Sequence, residues 1–220
     1  LASTLATGSM AQSLNICVEG AYPPFSYTEA SGEVAGFDID IANALCNEMG
    51  YDCTMLKTDW DGIIPALLEG KCDAIIASMS ITPDRMEVID FTAAYYNSPA
   101  AFIGADGMTM EAMQAGVVGV QRGTIHQDFM EGEAYLDLVA GRVDAVMADS
   151  VAMDDGFLKT EAGEGYGFFG ESYSIPEYHG DGAGIGVRKG EEALRDAFSA
   201  AIAAIRESGE YGEINDRYFD

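Results

Sequence analysis

One pattern occurs twice in the chain and limits its architecture more than any other. Leu67-Leu68-Glu69-Gly70-Lys71-Cys72-Asp73-Ala74-Ile75-Ile76-Ala77-Ser78 is matched by Leu138-Val139-Ala140-Gly141-Arg142-Val143-Asp144-Ala145-Val146-Met147-Ala148-Asp149. Each copy reads as a helix end, a glycine stop, a basic residue, then Asp-Ala and a short apolar run. Glycine closes a helix by taking the left-handed conformation, and a strand buried on both faces is apolar throughout. Two αβ units with one grammar predict two lobes of similar build. In open α/β sheets a ligand sits beyond the carboxyl ends of strands. Those ends are Ser78 and Asp149.

The first copy continues into Met79-Ser80-Ile81-Thr82-Pro83-Asp84-Arg85. Thr82 followed by Pro83 reads as an N-cap and a proline at the first helical position, where a missing N–H costs nothing. Arg85 then falls in the first helical turn, where the helix end is already partly positive. Backbone amides, hydroxyls and a guanidinium converging there suit a carboxylate or phosphate. The plainer alternative is a helix start whose arginine pairs with a nearby acid. If the lobes face each other, Arg85 on one side and Asp149 on the other suit a zwitterion.

Composition narrows the partners. The chain has 220 residues, is 48% hydrophobic and carries a formal charge of −26. That length allows one large or two modest domains, and the charge makes nucleic acid an unsuitable partner. Leu1 to Ala11 is small, apolar and uncharged, and is expected to be the remnant of a secretory signal peptide or a disordered tail. The rest holds no run of about 20 apolar residues, so no membrane span is expected. Cys46 lies at a helix end and Cys53 at the next strand's start, and the loop between them can close as a disulfide in an oxidising compartment. Cys17 and Cys72 lie in apolar strand contexts and are expected as buried free thiols, a second bridge being the alternative. No metal-ligand spacing is present.

In chain order, Leu14 to Val18 is a first strand, ending in Glu19-Gly20-Ala21-Tyr22-Pro23-Pro24-Phe25. Glu19 and Tyr22 therefore belong near the cleft. Glu29 to Glu33 is a turn or hairpin tip. Gly36 to Leu45 reads as a helix capped by Asp38, with Phe37, Ile41 and Leu45 on one face. Trp60 begins the next helix, either as a core anchor or as a wall for a ligand. Tyr95 to Ile103 and Ala183 to Arg188 are extended and are expected to cross between lobes. Gln121-Arg122-Gly123-Thr124-Ile125-His126 is a glycine turn before a helix, whose amides can hold an anionic oxygen. Glu191 to Glu207 and Tyr211 to Phe219 are the closing helices.

Several of these segments together resemble a known family. Tyr22-Pro23-Pro24-Phe25, Gly36-Phe37-Asp38-Ile39-Asp40, Ser78-Met79-Ser80-Ile81-Thr82 with Arg85, Gly119-Val120-Gln121-Arg122-Gly123-Thr124, Ala140-Gly141-Arg142-Val143-Asp144-Ala145 and Tyr218-Phe219-Asp220 stand in that family's order. The chain resembles the periplasmic polar-amino-acid-binding proteins of ABC importers, nearest in kind to the lysine/arginine/ornithine, histidine and opine binders. The resemblance implies an α/β chain with the type II periplasmic-binding-protein fold, two lobes joined by two hinge strands. Residues 12–97 with 187–220 would form lobe 1, and residues 98–186 lobe 2.

The same resemblance implies a binding site made of Glu19, Tyr22, Trp60, Ser78, Met79, Ser80, Arg85, Ile125, His126 and Asp149. The ligand's α-carboxylate would meet Arg85, Ser80, the Ser78 amide and amides near Ile125. Its ammonium would meet Asp149, its distal cation Glu19, and its stem Tyr22 and Trp60. Cys46 and Cys53 fall on the family's cysteine pair. No cofactor is implied, and the expected partners are a free amino acid, with lysine, arginine or ornithine favoured, and an inner-membrane permease. A monomer in the periplasm is expected. Ala77 replaces a serine of the basic-amino-acid binders, Glu19 an aspartate and His126 a glutamine. The second lobe looks short between His126 and Leu136 and around Gly104 to Gly116. A lyase on the same scaffold would need a general acid or base, for which His126 is the candidate. A sensor lobe would be fused to membrane spans.

Overall fold

The computed structural model describes residues 12–126 and 138–219. Its strands, in chain order, are β1 (Ser13–Val18), β2 (Ala21–Tyr22), β3 (Ser26–Thr28), β4 (Val34–Ala35), β5 (Asp52–Lys57), β6 (Ala74–Ile75), β7 (Ile89–Phe91), β8 (Ala100–Ala105), β9 (Val118–Gly119), β10 (Ala145–Asp149), β11 (Tyr166–Tyr173) and β12 (Gly186–Arg188). The first sheet has the order β5-β1-β6-β12-β7, with β1 parallel to β5 and β6 and β12 antiparallel to its neighbours. The second sheet has the order β11-β8-β10-β9. A small meander, β2-β3-β4, follows the end of β1.

The repeated Asp-Ala has one physical job in both copies. The Asp73 amide donates to the Asn15 carbonyl at 2.7 Å while its carboxylate accepts the Asn15 N–H at 2.8 Å. The Asp144 amide donates to the Val117 carbonyl at 2.7 Å while its carboxylate accepts the Val117 N–H at 2.9 Å. Each aspartate thus clamps the start of the neighbouring parallel strand and sets its register. Gly70 and Gly141 precede them at φ 74° and 66°, the left-handed turn that ends a helix.

Alternation along the strands sorts the core into layers. Ile16 and Val18 face α1 (Phe37–Met49) and the helix Glu192–Ser208, where Phe37, Ile41, Leu45, Phe198 and Ile202 are buried. Cys17 and Ile75 face the other way, against Ile63 and Leu67 of α2 (Trp60–Leu68). In the second sheet Ile103, Val146 and Ala148 face Met153 and Phe157, while Phe102, Ala145 and Met147 face Met113 and Val120. The central strands β6, β8 and β10 are covered on both faces, which is why they read as nearly unbroken apolar runs.

The chain leaves the first sheet after Phe91 and joins the second at Ala100, then returns between Tyr173 and Gly186. The crossings are shorter than expected, because Ala100 to Ile103 already belongs to β8 and Gly186 to Arg188 to β12. They pair with each other: Tyr95 N–H donates to the Ala183 carbonyl and Ala183 N–H to the Tyr96 carbonyl, both at 2.8 Å.

Two expectations are corrected. Cys17 and Cys72 are not free thiols but a disulfide, with Cα atoms 5.7 Å apart. Their neighbouring strands β1 and β6 bring them side by side, which no local pattern reveals. Cys46 and Cys53 are bridged as expected. Asp38 is not the cap of α1; Gly36 takes that position at φ 125°, where a Cβ would come within 2.5 Å of the Phe25 carbonyl oxygen. The expected signal tail, Leu1 to Ala11, and residues 127–137 lie outside the described residues. Among the described residues no helix is long and apolar enough to cross a membrane.

Candidate functional site

The ends of β1, β6 and β10 open on one cavity. It has a volume of about 70 Å³ and is lined by Glu19, Tyr22, Trp60, Ser78, Ser80, Arg85, Ile125, His126 and Asp149. Nine of the ten residues expected at the site therefore come together there. Met79 is the exception and is corrected: it does not line the cavity, and its side chain is 1% exposed in the core with Ile63, Leu67 and Ile75.

Arg85 sits at one end. Thr82 caps its helix, α3 (Pro83–Val88), by accepting the Arg85 N–H, as the Thr-Pro pair predicted. One guanidinium nitrogen donates to the Ser80 carbonyl at 2.9 Å and another to the Gly123 carbonyl at 3.3 Å. The guanidinium lies 5.3 Å over the Trp60 ring. A flat cation held by its neighbours in one orientation is ready for a carboxylate at little further ordering cost.

Two carboxylates also line the cavity. Glu19, just past β1, is buried, and burial pushes its carboxyl above the ordinary range although the Gln121 amide donates to it at 3.0 Å. Asp149, at the end of β10, caps the helix Ser150–Met153 by accepting the Val151 and Ala152 amides on Oδ1 at 2.9 and 3.1 Å. Burial lifts it to about 6 in spite of those two donors. His126 is buried against His179, ring centroids 6.2 Å apart, and burial, then His179, then Arg85 depress it to about 3. A neutral imidazole of that kind is a hydrogen-bond partner and a poor base at neutral pH.

Ser78 behaves differently from the expectation that its amide meets a carboxylate. Its N–H donates to the Tyr95 hydroxyl at 2.8 Å and its Oγ donates to Asp38 at 3.0 Å. Both donors are committed behind the cavity wall, so Ser78 has acceptors and no free donor to offer a ligand. That suits an ammonium and not an anion.

Sequence reasoning missed Gln121, Thr124, Tyr96 and His179 as lining residues. Gln121 and Thr124 lie inside the glycine turn already singled out, so the motif was the signal. His179 had none: Pro176 starts a four-residue helix that folds it back to the cavity from the return crossing. Segment 121–123 also spans the cleft, with Trp60 Nε1 donating to the Gly123 carbonyl at 2.8 Å and Arg122 pairing with Asp61. Among the described residues no group of three His, Cys, Asp or Glu is placed to hold a metal ion.

Two α/β lobes, two paired crossing strands and a charged cavity at the strand ends define a two-lobed binding protein. Residues 14–220 match the bacterial extracellular solute-binding proteins, family 3, and the chain belongs to that family. It is 44% identical to the L-arginine-binding protein of Pseudomonas aeruginosa, over 98% of this chain and 91% of that one. It is 35% identical to the lysine/arginine/ornithine-binding periplasmic protein of Escherichia coli, over 96% and 89%. Among solved structures, a periplasmic binding protein of Salmonella typhimurium described as highly specific for arginine superposes with a TM-score of 0.87 at 32% identity, covering 96% of this chain and all of that one. The fold is the type II periplasmic-binding-protein fold, and the protein is a solute receptor, not an enzyme.

Proposed function

We propose that this protein is a periplasmic receptor for a cationic L-amino acid, which it delivers to an ABC permease as a monomer. The observation that carries the reading is the charge of the cavity lining: one guanidinium, Arg85, and two carboxylates, Asp149 and Glu19, border the same cavity. The ligand's α-carboxylate binds the Arg85 guanidinium. Its ammonium lies between the Asp149 carboxylate and the Ser78 carbonyl. The distal cation of arginine, lysine or ornithine reaches Glu19, and its stem passes between Tyr22 and Trp60. Relatives named for arginine and for lysine/arginine/ornithine support this choice. We read residues 12–97 with 187–220 as one lobe and 98–186 as the other. Ligand favours closure because it touches both, while segment 121–123 supplies further contacts in the closed state.

Calorimetry on protein freed of co-purified ligand tests the reading. Arginine, lysine or ornithine is expected to bind at least about tenfold tighter than glutamine, since a hydrogen bond to a charged partner is worth about 1.5–3 kcal/mol. Tighter binding of glutamine or glutamate would reject the cationic ligand. No binding of any amino acid would reject the receptor assignment.

A further inference from the structure

Asp38 lies beneath the cavity and does not line it. It is the second residue of α1, a position where a carboxylate ordinarily reaches solvent, yet it is 1% exposed. The Tyr95 hydroxyl donates to its Oδ1 at 2.7 Å, and Ser78 Oγ donates to both its oxygens at 3.0 and 3.1 Å. Tyr95 Oη in turn accepts the Ser78 N–H at 2.8 Å. Groups from α1, from the segment after β6 and from the first crossing strand thus close a ring around Ser78. Within that ring Ser78 has φ 46°, and among the described residues it is the one non-glycine with a positive φ. A serine reaches that conformation only when its surroundings over-determine it.

We propose that Asp38 and Tyr95 are positioning residues for ligand selection, holding Ser78 so that it presents an acceptor and no donor to the ligand's ammonium. The inference rests on the reading that an amino acid occupies the cavity with its ammonium at Ser78. A charged carboxylate is suited to the task because it accepts both hydroxyls at once. If Asp38 takes up a proton, one of its two hydroxyl partners must turn from donor to acceptor, and the ring loses the pattern that fixes Ser78. Burial holds Asp38 at about 7, so this happens on mild acidification. The other titratable groups acting on it are Tyr95, which donates to it, and Glu19 and Asp149, whose like charges oppose its ionisation; Tyr96 is also within its electrostatic reach.

The test compares L-arginine with its analogue lacking the α-amino group, titrated calorimetrically into wild type, Asp38→Asn, Tyr95→Phe and Asp38→Asn/Ser78→Gly. Asp38→Asn and Tyr95→Phe should each weaken arginine about tenfold or more and leave the desamino analogue within about threefold. Wild-type arginine affinity should drop between pH 7.5 and 6, and Asp38→Asn should lose most of that drop. Glycine adopts a positive φ without help, so Ser78→Gly should restore much of the arginine affinity lost in Asp38→Asn. Folded variants that bind both compounds as wild type does, or that lose both equally, would overturn the inference. If Asp38→Asn does not fold, Tyr95→Phe decides by the same comparison. Wild-type protein that binds no arginine would overturn the underlying reading and this inference with it; wild-type binding with unchanged variants overturns the inference alone.

Discussion

The two strand ends that face the cavity start from one sequence pattern and reach it by different means. After β10, Asp149 turns its own side chain to the cavity while two amides of the next helix hold one oxygen. After β6, Ser78 turns its side chain away to Asp38 and its N–H to Tyr95. The difference lies in what is stacked behind. Behind Ser78 stand Asp38 and Tyr95, a buried acceptor and a buried hydroxyl that draw both donors inward. Asp149 has only its own helix N-terminus, whose amides draw a carboxylate oxygen. One repeat can therefore end in a serine whose donors point inward at one strand end and in a carboxylate lining the cavity at the other. The lobes also differ in how they are fastened: all four cysteines form two bridges in the lobe of the first sheet.

Arg85→Ala probes the first rim most severely. Removing one partner of a buried charged contact costs about 2–5 kcal/mol, so every amino acid ligand should weaken by roughly 30-fold to several thousandfold in calorimetry. Retained binding would move the carboxylate elsewhere. The fastening is measured by urea unfolding of Cys17→Ser/Cys72→Ser and Cys46→Ser/Cys53→Ser. The bridges span 55 and 7 residues. Chain entropy then predicts losses of about 4 and about 2 kcal/mol. The reverse order would show that the short bridge carries the first lobe.

Asp149→Asn tests the second rim with little risk to the fold, because asparagine also caps helices. Arginine affinity should fall about tenfold to a hundredfold with the melting temperature nearly unchanged. Glu19→Gln should weaken arginine about tenfold while glutamine stays within about threefold; equal losses would remove Glu19 from recognition of the distal cation.

Acidification acts with opposite signs on the empty and the filled protein. Asp38 and Asp149 hold protons to about pH 7 and 6 when folded, against 3.8 ordinarily. The folded, empty protein thus binds more protons than the unfolded chain, and these two groups add stability as pH falls from about 7 toward 4. His126 works against them between pH 6.5 and about 3, where only the unfolded chain's imidazole is protonated. A ligand ammonium must displace the Asp149 proton, so this group alone should lower arginine affinity about tenfold from pH 7.5 to 5, in addition to the loss expected from Asp38. Titrations in buffers of different ionisation heat should show proton release.

Much of this was legible because it is written in local terms. Gly70 and Gly141 end helices through backbone freedom, Thr82-Pro83 caps α3 through a hydroxyl and a missing N–H, and the apolar runs at Ala74 and Ala145 mark strands covered on both faces. The residues of the cavity followed from the rule that ligands collect at strand ends, together with the motifs around Tyr22, Ser78 and Gly123. Met79 was misplaced because a motif names positions without saying which way each side chain points.

The amino-acid order alone set the two αβ lobes, the charged poles Arg85, Asp149 and Glu19, and the Cys46–Cys53 bridge, since each depends on neighbours close in sequence or on a pattern repeated along it. Tertiary structure alone decided the Cys17–Cys72 bridge, the arrival of His179 beside His126, and the use of Asp38 beneath Ser78 and not at a helix cap. Those contacts join residues 40 to 57 positions apart, and the sheet order that closes such distances is fixed by packing of the whole chain.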